Sequence, residues 1–214
     1  MLRQRQLLAV LALGACLATP AAMGAAYDDF IQAIKNSKPA EVVALLKRGM
    51  DPNSVDPTGQ PVLHIAAREG NLEVVQALVQ AGANIDKRNA FKETPIMLAC
   101  LTGSTKIVEY LLSKEAQINQ PGWTPLLYAA TNGHNEVVKL LIENHAYIDS
   151  SAPNGSTPLM MAVRGGHIST AQLLLEEGAD PSIKNEKGES AETWAEAAKQ
   201  TDLSALIRTR MQKR

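Results

Sequence analysis

The sequence predicts an all-α solenoid, in which helix-turn-helix units are joined by short β-hairpin-like loops. Three observations predict it. The pattern Gly-x-Thr-Pro-Leu at residue 122 returns at residue 155, and apolar residues within these units recur at helical spacing. Aromatic residues make up only 4% of the 214 residues. We therefore expect a core of Ala, Leu, Val and Ile, which suits thin helices that pack closely together.

The units recur at a nearly constant distance along the chain. The Pro of each Thr-Pro pair, or its equivalent, recurs at intervals of 33, 30, 33 and 33 residues, at Val62, Pro95, Pro125, Pro158 and Ala191. This period, with its Thr-Pro-Leu and Ala-Ala pairs, resembles the ankyrin repeat. The resemblance covers about residues 28 to 212. It implies a stack of helix pairs that binds other proteins.

The repeat divides the chain into capped units. The first unit lacks a Thr-Pro start, although Pro39 is expected to open its second helix and Gly49 to end it. The last unit has Lys199 in place of the first-helix Gly, so both ends are expected to be caps. The expected divisions are a signal peptide at 1–26, an N-terminal capping repeat at 27–56, ankyrin repeats at 57–89, 90–120, 121–152 and 153–185, and a C-terminal capping repeat at 186–214.

Each recurring residue type has a physical role in such a unit. A Thr hydroxyl can cap the first helix and the following Pro suits its first turn, which predicts caps at Thr94, Thr124 and Thr157. Gly accepts the positive φ that ends this helix, at Gly70, Gly103, Gly133 and Gly166. Small pairs keep the helix thin, namely Ala66-Ala67, Ala99-Cys100, Ala129-Ala130 and Ala162-Val163.

The N-terminus has the pattern of a cleaved bacterial signal peptide. Arg3 and Arg5 precede an apolar run at residues 7–17, which is too short to span a bilayer. Cleavage after Gly24 or Ala26 would place small residues at the preceding positions. We therefore expect a periplasmic protein. An alternative is a lipoprotein, because residues 13–16 read Leu-Gly-Ala-Cys and resemble a lipobox, which would place a lipid anchor on Cys16 and attach the protein to the membrane.

No motif for catalysis, metal binding or cofactor binding is present, so we expect no enzyme activity and no cofactor. The four His residues have no ligand spacing, and the family resemblance implies that His64 braces neighbouring loops. The acidic stretch at residues 51–59 lacks the distant Glu of a calcium loop and is expected to be a turn. Cys100 is expected to be buried. A formal net charge of −1 argues against a nucleic-acid partner.

The binding face follows from the resemblance, because ankyrin-like proteins typically bind through their hairpin tips and the ends of their first helices. The equivalent residues here are Arg68, Glu69, Phe91, Glu93, Leu101, Thr102, Trp123, Thr131, Asn132, Asn154 and Arg164. Phe91 and Trp123 stand out because aromatic residues are scarce in this chain and can be binding hot spots. Trp123 has a second interpretation, in which it covers a gap beside a shortened hairpin.

These observations favour a non-enzymatic protein-protein interaction module, acting as a scaffold or accessory factor for a periplasmic protein. The alternative is an inhibitor or immunity protein that binds and blocks a toxin or an enzyme. An immunity protein would bind very tightly and be encoded beside its toxin. An enzyme would need a convergent polar cluster, and the sequence indicates none.

Two departures from the period predict that the middle of the array opens more readily than its flanks. The loop before residue 122 is three residues short, because Lys87 to Asn89 have no counterpart between Asn119 and Gly122. Glu115 and His145 also replace the Gly that ends the second helix, at a cost of about 1 kcal/mol each. Amide hydrogen exchange should therefore be faster between residues 103 and 145 than in the flanking repeats. Slowest exchange in that region would contradict the prediction.

Overall fold

The computed structural model of the protein describes residues 20–212. Within that range the chain forms twelve α-helices, and its one bridge of β type joins Val55 and Pro61. The helices are α1 (Pro20–Lys35), α2 (Pro39–Lys47), α3 (Val62–Glu69), α4 (Leu72–Gln80), α5 (Pro95–Leu101), α6 (Thr105–Ser113), α7 (Pro125–Thr131), α8 (Asn135–Glu143), α9 (Pro158–Arg164), α10 (Ile168–Glu176), α11 (Ala191–Ala197) and α12 (Thr201–Gln212).

The helices form pairs that stack in chain order. The odd-numbered helices α1 to α11 pack side by side in one layer, each against the next, and the even-numbered helices α2 to α12 form the second layer. Loops at the same edge of the stack connect each pair to the following pair. The predicted all-α solenoid of helix-turn-helix units is therefore confirmed.

The odd-numbered helices α3 to α9 can pack closely because each carries a pair of fully buried residues, most of them small. Ala66, Ala67, Ala129 and Ala130 have no exposed surface. Cys100 occupies the same kind of position and is also fully buried, and this burial raises the pKa of its thiol. The prediction that Cys100 serves as a small core residue is confirmed.

Two of the three predicted Thr caps form. The hydroxyl of Thr124 accepts a hydrogen bond from the backbone N–H of Leu127, and Thr157 caps α9 in the same way. Thr94 stands at the N-cap of α5 as predicted, but its hydroxyl does not form the expected capping bond. Its backbone N–H donates to the sulfur of Met97 at 3.3 Å, while its buried hydroxyl has no hydrogen-bond partner among the described residues.

A side-chain ladder connects successive loops. One Asn or Asp in each of four loops accepts a hydrogen bond through Oδ1 from a backbone N–H in the next loop, at 2.8–3.0 Å. The acceptors are Asn53, Asp86, Asn119 and Asp149, and the donors are Asn84, Gln117, Tyr147 and Asp180. Because the acceptors occupy equivalent positions, this ladder aligns the loops independently of their length.

The predicted shortening of one hairpin is confirmed. Four hairpins are closed by a hydrogen bond from a backbone N–H to the carbonyl four residues later, beginning at Asp56, Asn89, Ala152 and Asn185. The segment at residues 119–123 has no such bond within the described range. Gly122 in this segment has the positive φ of the equivalent residues in the other hairpins, at +88°. The turn is therefore kept although the hydrogen bond that closes the other hairpins is missing.

The second helices end as predicted, with Gly or a strained substitute. Gly49, Gly82 and Gly178 have φ between +95° and +99°. Glu115 and His145 adopt φ of +63° and +66° at the equivalent places. These two side chains hold a left-handed conformation that Gly adopts without steric cost.

The first helix extends through the predicted cleavage sites. α1 begins at Pro20, and Gly24 and Ala26 both lie within it, which the high helix propensity of its alanines favours. The rest of the predicted signal peptide, with Arg3, Arg5 and Cys16, lies outside the described residues. In the part of the chain that the structure describes, no helix has the length and apolar character needed to cross a membrane.

Replacing the strained residues by Gly should stabilise the protein. We expect Glu115→Gly and His145→Gly each to raise the free energy of unfolding by about 1 kcal/mol, because Gly removes the left-handed strain. Chemical denaturation would measure the change. Lys114→Gly is the matched control, because Lys114 has φ of −101° and Gly there should destabilise by about 0.5–1 kcal/mol. Equal effects at both kinds of position would contradict the prediction.

Candidate binding face

The predicted site residues lie along one edge and face of the stack, on the hairpins that precede the odd-numbered helices and on the last turns of those helices. Those on the surface are Arg68, Glu69, Phe91, Thr102, Trp123, Asn154 and Arg164, and those half-buried are Glu93, Leu101, Thr131 and Asn132. Because the odd-numbered helices pack in order, the structure brings residues of adjacent repeats next to one another.

Phe91 is the most exposed large apolar residue within the described range, with 80% of its surface accessible. Its position is nevertheless fixed by the backbone. The Oδ1 atom of Asn89 accepts hydrogen bonds from the N–H groups of Phe91 and Glu93, both at 2.9 Å, and Asn89 itself is buried. The buried side chain of Asn89 therefore fixes the turn that exposes the ring of Phe91.

Trp123 belongs to the next hairpin and is 39% exposed. Its ring packs against the ring of Tyr128, with centroids 5.3 Å apart and planes tilted by 53°. Part of the indole is thus packed on Tyr128, and part faces solvent. The geometry is compatible with both interpretations of Trp123, which stay predictions.

A hydrogen-bond network joins the two aromatic residues. The hydroxyl of Tyr128 donates to one carboxylate oxygen of Glu93 at 2.8 Å, and Asn89 donates to the other at 2.8 Å. Burial raises the pKa of Tyr128, and the hydrogen bond and negative charge of Glu93 raise it further. Contacts therefore run from Phe91 through Asn89, Glu93 and Tyr128 to Trp123. We name the surface formed by Phe91, Trp123 and Tyr128 the aromatic patch.

The polar predicted residues near the aromatic patch are already engaged. The hydroxyls of Thr102 and Thr131 donate to backbone carbonyls of their own helices, and the side chain of Asn132 donates to the carbonyl of Tyr128. These bonds satisfy the donors locally. The side-chain donors of these three residues are therefore less available to a partner than the sequence alone suggests.

A second feature lies at the C-terminal end of the same face. A cleft of about 370 Å³ is lined by Asn154, Arg164, Asn185, Glu186, Lys187, Glu189 and Trp194. The carboxylate of Glu189 accepts hydrogen bonds from Asn185 and from the indole of Trp194, both at 2.9 Å, and these bonds lower its pKa. The repeat pattern predicted Asn154 and Arg164 on this face. It did not predict the other lining residues, because most of them, including Trp194, lie in the segment that was interpreted only as the C-terminal capping repeat.

Three of the four His residues connect neighbouring repeats. The Nε2 atoms of His64, His134 and His167 lie 2.9–3.1 Å from backbone carbonyls in the neighbouring repeat. The bond from His64 reaches the carbonyl of Glu93, which confirms its predicted role in bracing the loops. Burial lowers the pKa of His64. Its Nδ1 has no partner within residues 20–212, because Pro61 stands where other repeats have a Thr or Ser hydroxyl.

The acidic stretch at residues 51–59 forms a turn, as predicted. Oδ1 of Asp56 accepts hydrogen bonds from the backbone N–H groups of Thr58 and Gln60, and Oδ2 forms an ion pair with Lys35 at 3.0 Å. Burial alone would raise the pKa of Asp56, but these hydrogen bonds hold it well below its usual value. Across the described residues, no group of three or more His, Cys, Asp or Glu side chains is arranged to hold a metal ion.

Comparison with known proteins identifies the same repeat. A family model described as ankyrin repeats (three copies) matches residues 30–121 and 117–185. The chain is 34% identical over 111 residues to the probable 26S proteasome regulatory subunit p28 of Saccharomyces cerevisiae, covering 49% of this chain and 48% of that protein. It is 33% identical to rat ankyrin repeat and SAM domain-containing protein 6, covering 49% of this chain and 12% of the relative.

A further relative is an enzyme. The glycerophosphocholine phosphodiesterase gde1 of Schizosaccharomyces pombe is 35% identical over 97 residues, which is 44% of this chain and 8% of that protein. The chain therefore spans about half or less of the length of these three relatives.

The unpaired Nδ1 of His64 predicts a stabilising substitution. In Pro61→Thr, the new side-chain hydroxyl or the new backbone N–H can donate to Nδ1; in α11 the backbone N–H of Ser190 donates in this way to the hydroxyl of Thr193. We expect this bond to contribute about 1 kcal/mol, partly offset by about 0.4–1 kcal/mol for losing Pro. A double-mutant cycle with His64→Leu isolates the bond, since Leu127 occupies the equivalent position in α7. A coupling energy near zero in urea denaturation would contradict the prediction.

Proposed function

Because this chain belongs to the ankyrin repeat family, we propose that it is a scaffold or accessory factor for another protein in the bacterial periplasm. Membership of this family implies a module that binds another protein. We add the periplasmic location, the scaffold role and the binding face. The partner's surface would lie against the hairpins and the last turns of the odd-numbered helices.

The aromatic patch is the observation that carries the proposal. An aromatic side chain that is 80% exposed, as Phe91 is, exposes apolar surface to water without contributing to the core. Phe91 lies on a turn that is fixed by buried Asn89, and Trp123 lies on the adjacent hairpin. Rigid aromatic residues supply much of the binding energy at protein interfaces. The patch thus has the composition of an interface centre.

We propose that the protein acts without catalysis. A catalytic site would need a nucleophile, a base and an orienting group within hydrogen-bond reach of one another. On the proposed face, the hydroxyls of Thr102 and Thr131 are bonded to backbone carbonyls. The carboxylates of Glu93 and Glu189 are each held by two neutral donors. These bonds support a structural role for each group.

The periplasmic location rests on the sequence of the N-terminus. The basic residues, the short apolar run and the small residues near Gly24 and Ala26 support export and cleavage. Lipidation of Cys16 is the alternative form of the same proposal and would leave the folded repeats attached to the membrane. Mass spectrometry of the mature N-terminus distinguishes a cleaved soluble form from a lipidated one.

Affinity capture from periplasm tests the function. We expect the wild-type chain to retain a protein partner and the Phe91→Ala/Trp123→Ala double variant to lose it, by at least tenfold in affinity, because hot-spot aromatics are each worth about 2 kcal/mol or more. Tyr147→Ala is the matched control, because Tyr147 is 67% exposed in a loop after α8, outside the proposed face.

The outcomes of the capture separate the alternatives. A partner retained equally by the double variant would remove the proposed face, and absence of any specific partner would remove the periplasmic scaffold role. If the captured protein is a toxin or an enzyme that loses its activity in the complex, the protein is an inhibitor instead. A retained partner with unchanged activity supports the scaffold or accessory role.

A further inference from the structure

One hairpin holds a strained residue where the others hold Gly. Lys92 has φ of +63°, whereas Gly59, Gly122, Gly155 and Gly188 occupy the equivalent place with φ between +75° and +88°. A left-handed Lys is disfavoured because its Cβ crowds the backbone. The strain falls on the hairpin that presents Phe91. Local strain of this kind is often retained where a side chain has a function.

The side chain of Lys92 takes no part in stabilising the hairpin. It is exposed, and within residues 20–212 its ammonium group forms no ion pair or hydrogen bond. Arg88, four residues earlier on the same hairpin, is exposed and unpaired in the same sense. The fold therefore gains nothing from either cation, although it accepts strain to keep one of them.

The nearby carboxylate does not neutralise these cations by contact. Both oxygens of Glu93 are engaged, one by Tyr128 and the other by Asn89. The hairpin thus carries two unpaired cations, Arg88 and Lys92. The one carboxylate beside them, Glu93, is hydrogen-bonded to Asn89 and Tyr128 instead. The charge available to a partner at this edge of the aromatic patch is positive.

The same contacts hold the patch in a fixed arrangement. Asn89 fixes the turn at Phe91, and Glu93 connects that turn to Tyr128, on whose ring Trp123 packs. A surface that is ordered before binding loses less conformational entropy on association. The hairpin therefore offers a preorganised apolar surface with a cationic border.

We propose that the aromatic patch binds a protein segment that presents an apolar side chain beside a carboxylate. The apolar side chain lies against Phe91 and Trp123, and the carboxylate pairs with Lys92. This inference rests on the proposed function and adds the chemistry of the partner. Complementary charge at the border sets the orientation of the segment and speeds its association.

A random peptide display library is the probe for the chemistry of the partner. Peptides are selected on the wild-type chain after removal of those that bind the Phe91→Ala/Trp123→Ala variant. We expect enrichment of Asp or Glu next to aromatic or aliphatic residues. Enrichment of Lys or Arg, or of apolar residues without acidic neighbours, would overturn the proposal. Failure to select any peptide would also overturn it, whereas the periplasmic capture decides the scaffold role separately.

Lys92 provides the sharper test, because its two roles predict opposite changes. We expect Lys92→Gly to raise the Tm, since the strain is removed, and to weaken binding of a selected peptide by about threefold, with a smaller salt dependence. Lys92→Gln removes the charge but keeps an unbranched polar side chain and the strain, so it should weaken binding equally without raising the Tm. Lys139→Gln on α8 is the control cation and should leave binding unchanged.

These measurements separate a functional Lys92 from a merely tolerated one. A Lys92→Gly variant that is more stable and binds the peptide as tightly as the wild-type chain would overturn the proposal. Equal losses for Lys92→Gln and Lys139→Gln would show a general effect of net charge and would also overturn it. The proposal is supported if both Lys92 variants bind the peptide more weakly, the Lys139→Gln variant binds it normally, and only Lys92→Gly has a raised Tm.

Discussion

The structure depends on close contact between successive odd-numbered helices, which small buried residues permit. Ala66 and Ala129 each lie in a fully buried pair, and no large side chain could occupy these places without separating the helices. Each helix pair contacts mainly its neighbours in the stack, so the core is continuous along the chain but only local in sequence. Loop geometry, capping and the binding face all follow from that spacing.

Most of the fold could be predicted because its signals are periodic. The regular interval between equivalent Pro positions located the helices, and the one interval of 30 residues located the short hairpin. The same comparison showed that Glu115 and His145 stand in Gly positions, where they are indeed left-handed. Each of these predictions needs only the identity of a residue at a repeat position. The backbone conformation at that position then follows from local sterics.

The parts that could not be predicted depend on pairs of residues in different repeats. Tyr128 and Glu93 are 35 residues apart, and nothing in either repeat alone indicates that the hydroxyl and the carboxylate meet. The missing cap at Thr94 has a similar cause. A repeat with a hydroxyl at the N-cap of its first helix and a His three residues later could pair the two side chains. Here His64 follows Pro61, which has no hydroxyl, and Thr94 is followed by Met97, which has no imidazole. The candidate site was therefore predicted in position but not in its internal connections.

Left-handed residues other than Gly occur in the middle repeats and also in the caps. Lys92, Glu115 and His145 hold this conformation in the middle repeats, and Ser37 and Lys199 hold it in the capping repeats. Gln120, in the short hairpin, has a buried carbonyl oxygen with no partner in the described range. In a stack with nearest-neighbour contacts, such costs stay local, so the flanking repeats can remain stable while the middle is weakened. The proposed partner-binding role would account for these costs, because functional groups are commonly retained at the expense of stability. The hairpin at residues 89–93 combines a strained Lys92 with the exposed ring of Phe91, and this coincidence is a stronger argument for function than either feature alone.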